Sequence, residues 1–395
     1  MTGYKQLFLL DPNVIFLNHG SFGACPTLVF ETYQAWQRRL EAQPVLFLGR
    51  EYEEHDRLAR RVLGEYLHTH PDNLVYVPNV TYGVNIVARS LALGAGDEIL
   101  ASDHEYGACD YTWEHVCKKN GAVYIRQPIP LPVHSAEEML EQLWQRVTPR
   151  TRVIYLSHIS SPTALRLPVE LVCQRARQAG IMTVIDGAHA AGQLPLDMDN
   201  LGADFYIGNC HKWMLSPKGA GFLYTRPEVQ HLIEPLVVSW GYHAAPNKAS
   251  GSQYLDYLVW SGTIDPAARL AVPTAIQFMQ QNQWDRVGQG CKDLLRSALE
   301  RIRDLAELPP LYPLQSDLFQ QMGAAALPSG TDIAILQARL YDEYRIEVPL
   351  IEWNGDKLIR ISVQAYNTPG DLDALIDGLK HLLPACVVSN AGSES

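Results

Sequence analysis

Between residues 74 and 225 the chain alternates short apolar runs with amphipathic stretches of helical length, a rhythm that few folds accommodate. The apolar runs, read as strands, are Leu74–Val77, Glu98–Ala101, Val123–Ile125, Val153–Leu156, Met182–Ile185, Phe205–Ile207 and Gly221–Tyr224. Helical patterns separate several of them: Val84–Leu91, Ala136–Val147 and Val169–Ala179, the last opened by Pro168 at a first-turn position. Strands spaced by helices cannot be joined by tight hairpins. They imply βαβ crossovers and an α/β fold with a large, doubly wound, mainly parallel sheet. Gly94, Gly121 and Gly180 fall where a helix or turn hands over to the next strand.

The flanks read differently. Residues 1–25 are rich in turn formers and end in Asn18-His19-Gly20-Ser21-Phe22-Gly23; residues 26–68 predict two helices. After Pro266 a helical run, Ala267–Met279, leads away from the sheet. Residues 285–388 then predict a smaller α+β unit: helix 288–305, a strand near 331–335, helix 336–344, strand Leu358–Val363 and helix 370–382. The expected division is a large domain over 20–270, a small C-terminal domain joined by the N-terminus (1–19 and 271–388), and a flexible polar tail at 389–395.

Composition narrows the function classes. In 395 residues, 47% are hydrophobic and 19% charged, which supplies a large core and excludes intrinsic disorder. A formal net charge of −11 argues against a nucleic-acid partner, because phosphate backbones need clustered Lys and Arg. The longest uncharged run, Pro12 to Phe30, carries Asn18, His19, Gly20, Gly23 and Pro26 and is no membrane span. The N-terminus lacks a signal-peptide pattern, and the seven cysteines are dispersed without a C-x-x-C pair. These features predict a cytoplasmic protein with buried thiols.

Open parallel sheets bind ligands at the carboxyl ends of their strands. Here those ends read Pro78-Asn79-Val80-Thr81-Tyr82-Gly83, Ser102-Asp103-His104-Glu105-Tyr106, Ser157-His158-Ile159-Ser160-Ser161-Pro162-Thr163, Asp186-Gly187-Ala188-His189 and Gly208-Asn209-Cys210-His211-Lys212. Lys212 is one of only nine lysines and is flanked by Cys210, Trp213, Met214 and Leu215, a poor setting for a solvated ammonium. A desolvated lysine has a lowered pKa and forms Schiff bases with carbonyls. Asp186 taken alone also fits a helix cap; with a lysine on the next strand end it suits a pyridinium nitrogen. A helix starting near Thr81 offers free N–H groups to a phosphate. A ring to stack on a flat cofactor is available as His104 or Tyr106. Together these are the parts of a pyridoxal 5'-phosphate site.

On those residues, together with Leu17-Asn18-His19-Gly20-Ser21-Phe22-Gly23, Ser261-Gly262-Thr263 and Arg360-Ile361-Ser362, the chain resembles the class V aminotransferase-fold family of fold type I. Within it, the isopenicillin N epimerase-like subgroup, near the cysteine desulfurases, is the most similar. The resemblance implies that Lys212 binds the cofactor aldehyde and Asp186 the ring nitrogen. It implies that His189 and His158 lie near the phenolic oxygen. It matches His104 to the stacking imidazole of the desulfurases, with Tyr106 as a proton donor or alternative stacker. Thr81, Tyr82, Asn209 and His211 would hold the phosphate. Thr263 would reach the phosphate of a neighbouring subunit, which implies a homodimer. Arg360 would take the substrate carboxylate, and the Asn18-His19-Gly20 loop would close over the substrate.

One departure matters. Desulfurases need a nucleophilic cysteine near the carboxylate arginine, and none occurs between Cys291 and Cys386, so persulfide-forming chemistry is disfavoured. The shared opening step leaves Lys212 as a free amine able to act as general base at Cα. Epimerisation or racemisation, C–S β-elimination and transamination all follow from it. The resemblance favours epimerisation, which is analogy. A nicotinamide enzyme fails because Gly94-x-Gly96 and Gly219-x-Gly221 lack the third glycine. A metal hydrolase on Asp186, His158, His189 and His211 fails for want of ligand spacing, so no metal is expected. A cofactor-fold protein that only binds a partner is disfavoured because lysine and aspartate are both present. Trp240, Tyr242 and Trp353 are candidates for the pocket wall or for core and interface positions.

Overall fold

The computed structural model describes residues 3–243 and 250–387, so the 389–395 tail lies outside the described residues. In chain order the strands are β1 (Ile15–Phe16), β2 (Leu74–Val77), β3 (Glu98–Ser102), β4 (Val123–Gln127), β5 (Thr151–Ser157), β6 (Met182–Gly187), β7 (Phe205–Asn209), β8 (Gly221–Thr225), β9 (Met322–Leu327), β10 (Ile346–Glu347), β11 (Leu350–Trp353) and β12 (Asp356–Ser362). Seven of them form one sheet in the order β2-β8-β7-β6-β5-β3-β4. Both pairings of β8 are antiparallel and every other pairing is parallel. The exception has a local cause: no crossover helix separates Asn209 from Gly221, so the chain turns back beside itself.

Apart from its exposed edge strand β4, the sheet is buried on both faces. Val75, Val77, Ile99, Val153, Tyr155, Val184, Ile207 and Leu223 point into one core. Their neighbours Leu74, Tyr76, Leu100, Ile154, Leu156, Ile185, Tyr206 and Phe222 point into the other. This explains why the strands read as unbroken apolar runs rather than alternating ones. Chain order reverses between β3 and β5, which makes the carboxyl end of that boundary the place for a ligand.

A second sheet, β11-β12-β9, is antiparallel. Its strand β9 corrects the expected strand near 331–335. Met322-Gly-Ala-Ala-Ala-Leu carries no β-branched residue, and pairing with β12 overrides its weak propensity. The 331–335 region instead opens the helix Ile333–Tyr344, capped by the Asp332 carboxylate on the Ile335 N–H. The helical run after Pro266 is broken into Ala267–Leu270 and Val272–Gln281, with Pro273 in the second helix's first turn.

The chain's start is sewn to its end. β1 pairs in parallel with β10, Leu17 N–H donates to Glu347 O, and Ser362 N–H donates to Leu17 O. The β11–β12 hairpin tip reaches the loop after β3: Trp353 Nε1–H donates to Asp103 O at 3.0 Å and Asn354 Nδ2 to Asp103 Oδ2 at 2.7 Å. Trp353 therefore packs on His104, ring centroids 4.3 Å apart, rather than lining a pocket. Among the described residues no helix is long and apolar enough to cross a membrane.

Candidate active site

A cavity of about 440 Å³ opens at the carboxyl ends of β2, β3, β5, β6 and β7. Lys212 enters it from the turn after β7. Its Nζ lies 3.3 Å from His189 Nε2. Burial, partly offset by the Asp186 carboxylate, lowers its ammonium pKa to about 8. His189 is fully buried, and desolvation with the nearby Lys212 and Arg360 charges holds its pKa well below the usual imidazole range.

Asp186, at the end of β6, is 4% exposed. Its Oδ1 accepts the Ala188 N–H at 2.9 Å; its Oδ2 accepts the Tyr155 hydroxyl at 3.2 Å and the Cys109 thiol at 3.8 Å. Burial raises its pKa against those donors and Lys212. A buried carboxylate in this state selects a cationic N–H partner.

The helix Val80–Ser90 points its N-terminus at the same space. Asn79 caps it by accepting the Tyr82 N–H at 2.9 Å, and Asn209 Oδ1 accepts the Val80 N–H at 3.0 Å. The Thr81 N–H between them has no partner among the described residues. His211 lines this end, with Nδ1 3.1 Å from Ala220 O and a pKa lowered to about 4 chiefly by burial.

Across the cavity stands Arg360 on β12, 4% exposed. Its guanidinium donates to Ser161 O at 2.6 Å, Ser161 Oγ at 3.1 Å and Ser21 Oγ at 3.1 Å. Its buried Nε has no partner among the described residues, and burial lowers its pKa to about 10.

The structure thus gathers Lys212, Asp186, His189, Tyr106, Thr81, Asn209, His211 and Arg360 around one cavity. Other sequence candidates sit elsewhere. His104 is walled off: its Nε2–H donates to Ile129 O and its Nδ1 faces the Thr163 hydroxyl, both at 2.8 Å. The residue that lines the cavity from that loop is Tyr106, which is half exposed. His158 lies beneath the sheet end, with Nδ1 3.0 Å from the Tyr206 hydroxyl and Nε2 facing Glu170 at 3.5 Å. Tyr82 lies one residue past the Val80–Thr81 end that faces the cavity, and Thr263 is exposed outside it. Asn18 and His19 stand behind the wall. Asn18 binds Glu347 and Ser21, and His19 lies between Tyr366 Oη and Lys212 O. Their neighbours Gly20, Ser21 and Phe22 form the wall itself.

Sequence reading missed Ser21, Phe22, Lys218 and Trp213. Lys218 also lines the cavity and donates to Gly23 O at 2.9 Å. Only a signal of proximity to Lys212 marked Trp213, whose Nε1–H meets His189 Nδ1 at 3.3 Å.

These residues fit pyridoxal 5'-phosphate. A lysine with a lowered pKa meets its aldehyde, a buried carboxylate its ring nitrogen, and an open helix end with an unpaired N–H its phosphate. Among the described residues no cluster of His, Cys, Asp and Glu suits a metal.

Comparison with known proteins agrees. The family model Aminotransferase class-V matches residues 26–375. The chain is 37% identical to an isopenicillin N epimerase of Amycolatopsis lactamdurans, over 96% of this chain and 97% of that protein. It is 26% identical to a probable chloroplastic L-cysteine desulfhydrase of Arabidopsis thaliana, over 94% and 84%. A solved structure of C-DES, a lysine-to-alanine mutant with glycine covalently linked to its PLP cofactor, superposes with a TM-score of 0.83. That match covers 96% of this chain and 100% of that one at 23% identity. The chain belongs to the class-V aminotransferase family of pyridoxal 5'-phosphate-dependent enzymes.

Proposed function

We propose that this enzyme acts at the α-carbon of an amino acid, removing the α-proton and returning one to either face, as an epimerase or racemase. The observation that carries the amino-acid part is Arg360, a buried guanidinium with no acidic partner among the described residues, in the same cavity as Lys212. Its fork suits a carboxylate, and Lys212 suits a substrate bearing a primary amine.

Bound pyridoxal phosphate supplies the electron sink that acidifies Cα–H. The rest falls to this chain. Asp186 holds a proton at the ring nitrogen. Arg360 orients the carboxylate. Lys212 Nζ, whose pKa of about 8 suits proton traffic near neutrality, takes the α-proton. Tyr106, which lines the cavity from the loop after β3, is the second proton donor. The likeness to an isopenicillin N epimerase supports this reading.

The likeness to a cysteine desulfhydrase supports a second one, a C–S β-lyase on a cysteine derivative or sulfoxide; transamination is the third outcome of the same residues. Persulfide chemistry stays disfavoured, because none of the seven cysteines lines the cavity.

We read Thr263 as a phosphate ligand of a neighbouring subunit in a homodimer. Sedimentation at about twice the 44.2 kDa chain mass is expected, and a monomer would remove that role. The free thiols of Cys25, Cys109, Cys117, Cys173, Cys210 and Cys386 support a cytoplasmic location, which fractionation of the source cells tests.

Proton NMR of the holoenzyme in D₂O, with amino acids that include cysteine, cystine and cysteine sulfoxides, tests the chemistry. Deuterium at Cα with both enantiomers and no keto acid is expected. Pyruvate and ammonia from the sulfur substrates would establish the lyase instead.

A further inference from the structure

Among the described residues Lys212 Nζ has one neighbour within hydrogen-bond reach, His189 Nε2, and His189 has a second contact on its other side. That contact is the Trp213 indole, whose N–H can only donate. His189 Nδ1 must therefore accept. A neutral imidazole that accepts at Nδ1 carries its proton on Nε2. The imidazole is fully buried, which keeps it neutral. Its one N–H then points at Lys212 Nζ, where an ammonium would set two donors against each other. Only a neutral amine, with its lone pair toward the imidazole, satisfies the contact.

The charged and titratable groups around the pair are Asp186, Arg360, His19, His211 and Cys109. None of them makes a hydrogen bond to either ring nitrogen of His189, so none competes with Trp213 for setting its tautomer.

We propose that Trp213 is a positioning residue for Lys212: its indole N–H holds the His189 proton on Nε2, and that proton presents the lysine amine as an acceptor, ready to take an aldehyde or a proton. Trp213 touches neither substrate nor cofactor in this role; it acts through His189. The adjacency of Trp213 to Lys212 in sequence is not what makes the contact. The turn after β7 carries Lys212 into the cavity and sends Trp213 into the core, where it meets His189 from behind.

The proposal rests on the reading of Lys212 as the aldehyde-binding lysine. That reading is tested separately: an adduct fixed by borohydride in wild type and lost in Lys212→Ala supports it, and one that persists overturns it alone.

The tautomer is read directly by ¹⁵N NMR of the full chain carrying ¹⁵N-imidazole histidine, with the His189 signals identified by their loss in His189→Asn. A pyridine-type Nδ1 and a protonated Nε2 are expected; a protonated Nδ1 overturns the proposal without any change to Trp213. The consequence is read with Trp213→Phe, using pyridoxal 5'-phosphate added to cofactor-stripped full-length protein and following chromophore formation across pH. In wild type the rate should rise through a midpoint near 8. In Trp213→Phe the imidazole is free to flip and accept from an ammonium, so the midpoint should move up by roughly one unit, a tenfold slower capture below it. In His189→Asn, the further change Trp213→Phe should leave the midpoint unmoved. A purely structural Trp213 would lower stability and leave the single variant's midpoint at the wild-type value, which overturns the proposal.

Discussion

The Arg360 guanidinium makes its hydrogen bonds to a carbonyl and two serine hydroxyls, all neutral, while buried at the edge of the cavity. Holding a charge there costs stability that only an anionic ligand offsets. Arg360→Met should therefore leave the thermal midpoint of the free protein no lower. It should also reduce kcat/KM by about 30- to 150-fold, the equivalent of ~2–3 kcal/mol of lost charged contact. Thermal melts and steady-state kinetics check both halves, and an unchanged KM would sink the carboxylate assignment. Asp186 was legible in the sequence because it directly follows the apolar run Met182–Ile185, and Lys212 because it sits among Cys210, Trp213, Met214 and Leu215 just past the next run. The choice between His104 and Tyr106 was not. Both follow β3, and which ring faces the ligand depends on Asp103, tied to Ile129 N–H at 2.9 Å and to the Trp353–Asn354 hairpin tip, contacts 26 and about 250 residues away.

The helix Val80–Ser90 aims at the site because it packs hard on β7. A Cβ built on Gly83 would lie 2.5 Å from Ile207 Cγ2, a contact real side chains do not show. Gly→Ala in an open helix stabilises by roughly 0.5–1 kcal/mol. Here overpacking should reverse the sign and cost about 1–3 kcal/mol. Gly83→Ala should therefore unfold at lower urea concentration and lose pyridoxal phosphate faster on dialysis, since the displaced end carries the Val80 and Thr81 N–H groups. A variant more stable than wild type would refute the packing argument. The strands of the large sheet were readable as elements because burial on both faces leaves a continuous apolar run. Strand β9 was not, because Ala324, Ala325 and Ala326 carry no β signal and are held extended only by β12 opposite them.

Across the whole molecule, several buried imidazoles stay neutral. Burial lowers His19 to about 3 and His211 to about 4, and also depresses His104, His158 and His189. Each folded pKa lies below the unfolded value of 6.5, so the unfolded chain binds protons that the fold refuses. The stability these groups contribute is complete above pH 6.5 and drains away as pH falls from 6.5 toward 4, at up to ~1.4 kcal/mol per unit for each group. Glu105, raised to about 8 by burial, works in the opposite direction, and burial also raises Asp56, Asp110 and Asp186, so four carboxyls oppose the five imidazoles. Thermal midpoints should fall between pH 6.5 and 5, and His19→Gln should flatten the slope. A profile level over that range would show that the imidazoles are solvated. His19 also ties the molecule together, since its ring joins Tyr366 of the C-terminal unit to the backbone carbonyl of Lys212.

The sequence by itself determined the sheet, the strand ends that carry chemistry, and the lysine and aspartate among them, because these follow from local apolar runs and from what ends each run. Tertiary structure alone decided which side chains face the cavity. His104 and His158 are buried away from it, Ser21 and the exposed Tyr106 and Phe22 line it, and Trp213 reaches His189 from behind. A side chain's direction at a strand end is set by whichever distant donor or acceptor satisfies it, and those partners lie tens to hundreds of residues away, beyond the reach of any local pattern.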